Sequence, residues 1–318
     1  MQQQIPGSDE EGYRSMFAAV GLHKSHLVFP VLVSDSPATI QSMPGVAVIP
    51  IQKVVQHVQS IAANSNITSM IVFGIPKSRD HVGTSAFGKE GIIQEAVRQI
   101  KSAFGNAMNV ITDVCICQYN LSGHCGVVAR NGKVNNDATL KVLAKIAASH
   151  AEAGADVVAP SAMMDGQVYA IKSELHSRGL NASVLSFSVK HASSLYTPFR
   201  SVAFRKPTTK LDKSSYQVPY SNPRVALQEM EIDINEGADM VMIKPALMYL
   251  DLVRMAKDRL NFPLAAQNVS GEYAMIKAAA MQGWIDEEDW KVRSIASIKR
   301  AGADKIISYF ALDVAKYL

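Results

Sequence analysis

Two lysines and three cysteines carry most of the chemistry this sequence offers. Lys244 ends the apolar run Met240-Val241-Met242-Ile243-Lys244-Pro245, and Lys190 closes Ser186-Phe187-Ser188-Val189-Lys190-His191. An amine delivered by an apolar strand, or set near a second cation, gives up its proton more easily and attacks a carbonyl carbon as a neutral nucleophile. Lys190 is placed to be that second cation. One such lysine would also fit a side chain reaching to solvent; two at equivalent strand ends favour Schiff-base chemistry. Cys115, Cys117 and Cys125 are the only cysteines in the chain, spaced C-x-C-x7-C. Residues two apart on a strand face the same way, so Cys115 and Cys117 are expected to share an ion while the loop containing Gly123 returns Cys125 to them. Three thiolates leave tetrahedral zinc one open position, the arrangement of a catalytic site. Three buried apolar cysteines are the bland alternative. His124 stays open between a supporting place beside the metal and an ordinary loop position. From Arg200 to Gln217 the chain is basic, with Arg205, Lys206, Lys210 and Lys213, and shows no clear secondary structure. Arg200 and Lys213 there could clamp substrate carboxylates from a mobile loop, or the stretch is simply a solvated charged loop.

Such groups need a frame. Short β-branched runs alternate with segments of helical period, the pattern of parallel strands with crossover helices. Eight strands are expected at His26–Asp35, Met70–Ile75, Val110–Cys117, Val157–Ser161, Val184–Ser188, Met240–Lys244, Leu264–Ser270 and Ile306–Ala311. A helix is expected over Asp137–Glu152, with Leu140, Leu143, Ile146 and Ala147 on one stripe. The tetrapeptides Ala153-Gly154-Ala155-Asp156, Glu236-Gly237-Ala238-Asp239 and Ala301-Gly302-Ala303-Asp304 each close a helix and lead into a strand, glycine supplying the left-handed turn. The fold class is therefore α/β, a (β/α)8 TIM-type barrel over residues 26–318, preceded by a short N-terminal arm over residues 1–25 that is polar and turn-rich. An open doubly wound sheet is the competing architecture, weakened by the lack of a G-x-G-x-x-G after a strand. Gly45–Ile51 could add a strand near the barrel's base. Asp113 and the cysteines, Ser161, Lys190, Lys244, Ser270 and Tyr309 all fall at or just past strand ends, where barrel enzymes keep their reacting groups.

Composition narrows the function class. The 318 residues are 48% hydrophobic, enough for one large core. A net charge of +4, from 32 basic and 28 acidic residues, is too slight and dispersed for a nucleic-acid or membrane partner, which leaves a small-molecule substrate. With no secretory signal pattern and no long apolar span, a cytoplasmic location is expected.

Ordered across nearly the whole chain are Val72-Phe73-Gly74-Ile75-Pro76, Asp113 through Gly126, Val158-Ala159-Pro160-Ser161 with Met163-Met164-Asp165-Gly166, Ser188 through Ser193 with Tyr196, Pro198-Phe199-Arg200, Tyr216-Gln217, Glu236 to Pro245, Val269 through Met275, and Arg300 to Asp304 with Tyr309. In these segments the sequence resembles the porphobilinogen synthases, or 5-aminolevulinate dehydratases. The resemblance implies condensation of two 5-aminolevulinate molecules to porphobilinogen with loss of water, an early step of tetrapyrrole synthesis. It implies that Lys244 holds the first substrate and Lys190 the second as Schiff bases. Ser270 and Tyr309 match binders of the first substrate's carboxylate, and Arg200, Lys213 and Gln217 match binders of the second. Tyr196 belongs to the same substrate-binding set, and Asp113 matches an acid near the amino group and metal. The cysteine triad matches the zinc-using branch, and family members usually form homo-octamers through an N-terminal arm, which looks short here.

The departures are Ala162 where aspartate is usual, Gln267 where an aromatic residue is usual, Thr197 for glycine, Ser201 for an acid, and Val225 in place of a glutamate found in branches with an allosteric magnesium. Three readings follow: the synthase itself, a divergent Schiff-base condensing enzyme or lyase acting on a related amino ketone or keto acid, and a noncatalytic zinc-binding or assembly protein that kept the fold.

Overall fold

The computed structural model describes residue 7 and residues 9–204 and 212–318; Arg205, Lys206 and Lys210 lie outside the described residues. Eight parallel strands close into a barrel: β1 Leu27–Ser34, β2 Ser69–Ile75, β3 Asn109–Val114, β4 Val157–Pro160, β5 Ser183–Lys190, β6 Met240–Lys244, β7 Leu264–Asn268 and β8 Lys305–Ser308. Each strand pairs with its sequence neighbour, and the pairing of β8 with β1 completes the circle. The helices in chain order are α1 Glu10–Ala19, α2 Val54–Ser65, α3 Ile92–Phe104, α4 Asn136–Glu152, α5 Gln167–Ser177, α6 Thr197–Ala203, α7 Pro223–Asn235, α8 Leu250–Leu260, α9 Ser270–Met281, α10 Glu287–Ala301 and α11 Ala311–Ala315. The strands are apolar runs because both faces are covered, one by the barrel interior and one by the helices. Val28, Leu32, Ile71, Phe73, Ile111, Ala159, Leu185, Phe187, Met242, Ala265 and Ile307 form one buried cluster, and the alternate strand residues pack outward. The side chains two residues beyond this inner set therefore face the mouth of the barrel.

The expected barrel is present, with several boundaries moved. Five strands stop before the residues assigned to their ends, β1 and β4 by one residue, at Ser34 and Pro160, and three others by more. β3 ends at Val114, so Cys115 and Cys117 lie on the turn after it; β7 ends at Asn268, and Ser270 begins α9; β8 ends at Ser308, leaving Tyr309 in the turn before α11. The extra strand forms at Ala47–Pro50 but not at the base. It pairs with Leu32–Ser34, the C-terminal end of β1, and so stands at the mouth. Within residues 1–25 the chain forms α1, whose Tyr13 and Phe17 are buried against the barrel's last helices, with Tyr13 edge-on to Tyr317 at 5.2 Å.

The three Gly-Ala-Asp turns do more than end helices. Gly154, Gly237 and Gly302 have φ of 105°, 101° and 121°, the region that favours glycine. The aspartates that follow each accept an N–H from the first or second residue of the preceding strand: Asp156 from Val110, Asp239 from Val184 and Asp304 from Leu264, at 2.7, 2.7 and 2.9 Å. Lys101, Lys172 and Lys257 pair with the same three carboxylates. A repeated clamp thus fixes strand register at the base and leaves the mouth free for function. Among the described residues no helix is long and apolar enough to cross a membrane.

Candidate active site

Met240, Met242 and Lys244 alternate with outward residues along β6, so the parity that buries Met242 inside the barrel carries Lys244 to its mouth. Its Nζ is met by aromatic faces, Phe187 at 5.1 Å, Tyr196 at 5.4 Å and Phe73 at 5.7 Å. Burial, then the neighbouring Lys190 charge, lower the Lys244 pKa to about 7. The amine is therefore in part neutral near physiological pH.

Lys190 reaches the same cavity by a different route. Leu185 and Phe187 face inward on β5, and strict alternation would put Val189 inside and Lys190 outside. Instead β5 carries an extra residue where Val241 pairs with Ser186 and Ile243 with Val189, and this bulge turns Lys190 inward, in register with Lys244. Val189 joins the outer core and Lys190 lines the mouth. Its Nζ donates to Ser161 O at 2.6 Å. Burial pulls its pKa down, but negative charge on Cys125, Cys115, Cys117 and Asp113 outweighs this and leaves it raised. One lysine is thus primed as a nucleophile while the other keeps a proton.

Asp113 Oδ1 accepts from Ser161 Oγ at 2.6 Å and Oδ2 from Gln118 Nε2 at 3.0 Å, which fixes the carboxylate between β3 and β4. The cysteines come together through the turn rather than through strand parity. Their three Sγ atoms lie within 4.8 Å of one another, all buried, with Cys115 and Cys117 at 3.2 Å. Sulfurs on one tetrahedral zinc stand about 3.8 Å apart, given Zn–S bonds of about 2.3 Å, so the cluster fits a soft metal ion. Hydrogen bonds from Cys115 and Cys117 hold Cys125 well below the ordinary thiol range, helped by Lys213. His124 is not in this group of sulfurs; its Nδ1 lies 3.1 Å from the Tyr216 hydroxyl.

The cover of the site comes from α6 and the segment after the undescribed residues. Arg200 is on α6, a regular helix rather than the irregular loop expected, and its guanidinium lies over the Tyr196 ring at 5.1 Å. Tyr196 turns its hydroxyl to the carbonyls of His191 and Lys244, so it faces the cavity with its ring. Lys213 is buried, its Nζ donating to Cys125 Sγ at 3.3 Å and lying over Phe204. Both amide atoms of buried Gln217 lack a partner among the described residues. Ser270 Oγ donates to Leu195 O at 3.1 Å, an approach that requires Gly271, where a Cβ would stand 2.5 Å from the Leu195 backbone. Burial raises the Tyr309 phenol above its ordinary pKa, so it stays a neutral donor.

One cavity at the barrel mouth joins Asp113, Cys117, Lys190, Tyr196, Arg200, Lys213, Gln217, Lys244, Ser270 and Tyr309. Cys115 and Cys125 lie behind Cys117. The sequence reading did not single out Phe73, Gln118, Phe199 and Phe204, which line the same cavity. Phe73 carried a usable signal, since it lies two residues beyond Ile71 on the inward face of β2; Phe199 had only its place in the matching segment Pro198-Phe199-Arg200, and Phe204 had none.

The delta-aminolevulinic acid dehydratase family model matches residues 6–317. A delta-aminolevulinic acid dehydratase of Archaeoglobus fulgidus is 46% identical over 311 residues, covering 96% of this chain and 94% of that protein. One from Halalkalibacterium halodurans is 44% identical, covering 96% and 93%. A crystal structure of the enzyme from Toxoplasma gondii, in complex with the reaction product porphobilinogen, superposes with a TM-score of 0.90 at 37% identity, covering 93% of this chain and 86% of that one.

Proposed function

The chain belongs to the delta-aminolevulinic acid dehydratase family, and from that premise we propose that it condenses two molecules of 5-aminolevulinate to porphobilinogen with loss of water, in tetrapyrrole biosynthesis. The observation that carries the proposal is the pair of register-matched lysines in one cavity, of which Lys244 has its pKa lowered to about 7. The neutral Lys244 amine adds to the ketone carbon of the first substrate, and loss of water leaves a Schiff base. Ser270 and Tyr309 donate to that molecule's carboxylate. Arg200, Lys213 and Gln217 receive the second molecule, Arg200 and Lys213 by charge and Gln217 through its unpartnered amide. Lys190 holds the second molecule beside Asp113, whose carboxylate is positioned by Ser161 and Gln118 to take a proton from an amino group. Tyr196, Phe73 and Phe187 exclude water from the reacting nitrogen.

Cys115, Cys117 and Cys125 would hold zinc, the soft thiolates selecting it over magnesium. Bound there, zinc would supply Lewis acidity beside the substrate cavity. The proposal extends to a homo-oligomer, with the octamer as the form to look for; Met281 and Trp284 are large, exposed apolar side chains that a second copy would cover. It places the work in the cytosol, where three free thiols stay reduced. Turnover tests the reading: the protein with zinc and 5-aminolevulinate should form a pyrrole that colours with an acidic aldehyde reagent. A zinc-loaded, folded protein that forms none overturns it.

A further inference from the structure

Gln267 is a buried amide in the wall of the active-site cavity, and its surroundings give it a purpose. It is the inward residue of β7, two beyond Ala265 of the inner core, and it lines the cavity. Ile243 of β6 registers with Ala266 of β7, so the residues one step on, Lys244 and Gln267, stand side by side at the mouth. The Gln267 side chain is 2% exposed, and its Oε1 has no hydrogen-bond partner among the described residues. A buried carbonyl oxygen left unpaired costs free energy, and such groups persist in native proteins where a function uses them.

The chemistry beside it supplies a donor. When neutral Lys244 Nζ adds to a ketone, the new C–N bond forms and the carbonyl electron pair moves to oxygen, which takes up the proton that the nitrogen then releases. The nitrogen lone pair then expels that hydroxyl as water with one further proton, leaving a cationic C=N nitrogen that bears a single N–H. The three rings around Lys244 present only faces to that N–H. Ser161 and Gln118 hold the Asp113 carboxylate between β3 and β4, whereas Gln267 stands on β7, the strand next to that of Lys244. We propose that Gln267 is a further substrate-contacting residue, its amide oxygen accepting the N–H of the iminium formed on Lys244. The inference rests on the Schiff-base reading of Lys244 and adds to it a neutral acceptor on the neighbouring strand.

Two variants and a one-carbonyl probe, levulinate, test it. Gln267→Met removes the acceptor while keeping length and apolar fit. The rate of borohydride trapping of levulinate at Lys244, and kcat with 5-aminolevulinate, should each fall about tenfold, the worth of a hydrogen bond to a charged group. KM should hardly change and the melting temperature should not fall, because an unpaired polar atom has left the wall. Gln267→Glu puts a negative charge next to Lys244, whose other charged neighbours are Lys190, Asp113, Cys117 and Arg200. It should move the pH midpoint of levulinate trapping upward, by holding the Lys244 proton. Trapping and kcat unchanged in Gln267→Met, or lowered only in step with a lower melting temperature, would overturn the inference, as would an unmoved midpoint in Gln267→Glu. Wild-type protein that traps levulinate at Lys244 yet makes no pyrrole would sink the condensation reading alone, and the trapping comparison would still decide the role of Gln267.

Discussion

A lysine is a nucleophile only once its proton is gone, and Lys244 shows how residue-scale forces arrange that. Aromatic walls offer its ammonium far less solvation than water does, and Lys190 adds repulsion, so the pKa settles near 7. Schiff-base formation should therefore climb as pH rises through about 7. The same shift has a sign for stability. The folded pKa lies below the ordinary 10.5, so the unfolded chain binds the extra proton between these values and stability rises with pH across that window. At pH 7 and below the folded protein carries the full cost of the buried charge. Lys244→Met should abolish turnover and raise the melting temperature, by most at low pH and by little near pH 10; calorimetry across pH checks this. Arg200→Ala and Lys213→Ala should each raise the half-saturating substrate concentration, about tenfold or more, since each removes a charge-assisted contact. Unchanged substrate dependence in both would reject the clamp.

At the scale of elements, legibility in the sequence followed regularity. Lys244 could be placed from Met240-Val241-Met242-Ile243-Lys244 alone, because β6 keeps its alternation to the end. Lys190 could be placed at a strand end but its direction could not, because simple parity from Phe187 points it outward and only the bulge in β5 corrects this. The cysteines were grouped rightly for a partly wrong reason: their convergence depends on a turn after Val114, whose geometry no period encodes. The bonds that hold that turn against its neighbours were also hidden. Arg79, on the loop after β2, donates to Gln118 O at 2.7 Å and to Ala203 O at 3.0 Å, joining the cysteine turn to the end of α6. Arg79→Ala should weaken metal retention and substrate affinity together, measured by competition with a chelator and by the KM. A loss of one without the other would show that the two elements are not coupled through this side chain.

The molecule as a whole is a large barrel whose stability does not hang on the cysteine cluster. Three buried clusters of apolar side chains and the repeated aspartate clamps at the base secure it. Removal of metal with a chelator should therefore abolish activity while leaving far-ultraviolet circular dichroism and most of the melting behaviour intact, unlike a zinc finger, which unfolds. Zinc should restore the rate and magnesium should not, since hard cations prefer oxygen ligands. Full activity without metal would assign the thiols a different role.

The central claim is that the Lys244 amine forms the covalent bond to substrate, and the most direct measurement is borohydride reduction in the presence of 5-aminolevulinate followed by mass spectrometry of the digested protein. The reduced substrate adduct should appear on the peptide carrying Lys244, at a level that rises with pH through about 7 and vanishes in Lys244→Met. An adduct confined to other lysines, or one that persists undiminished in Lys244→Met, would contradict the claim.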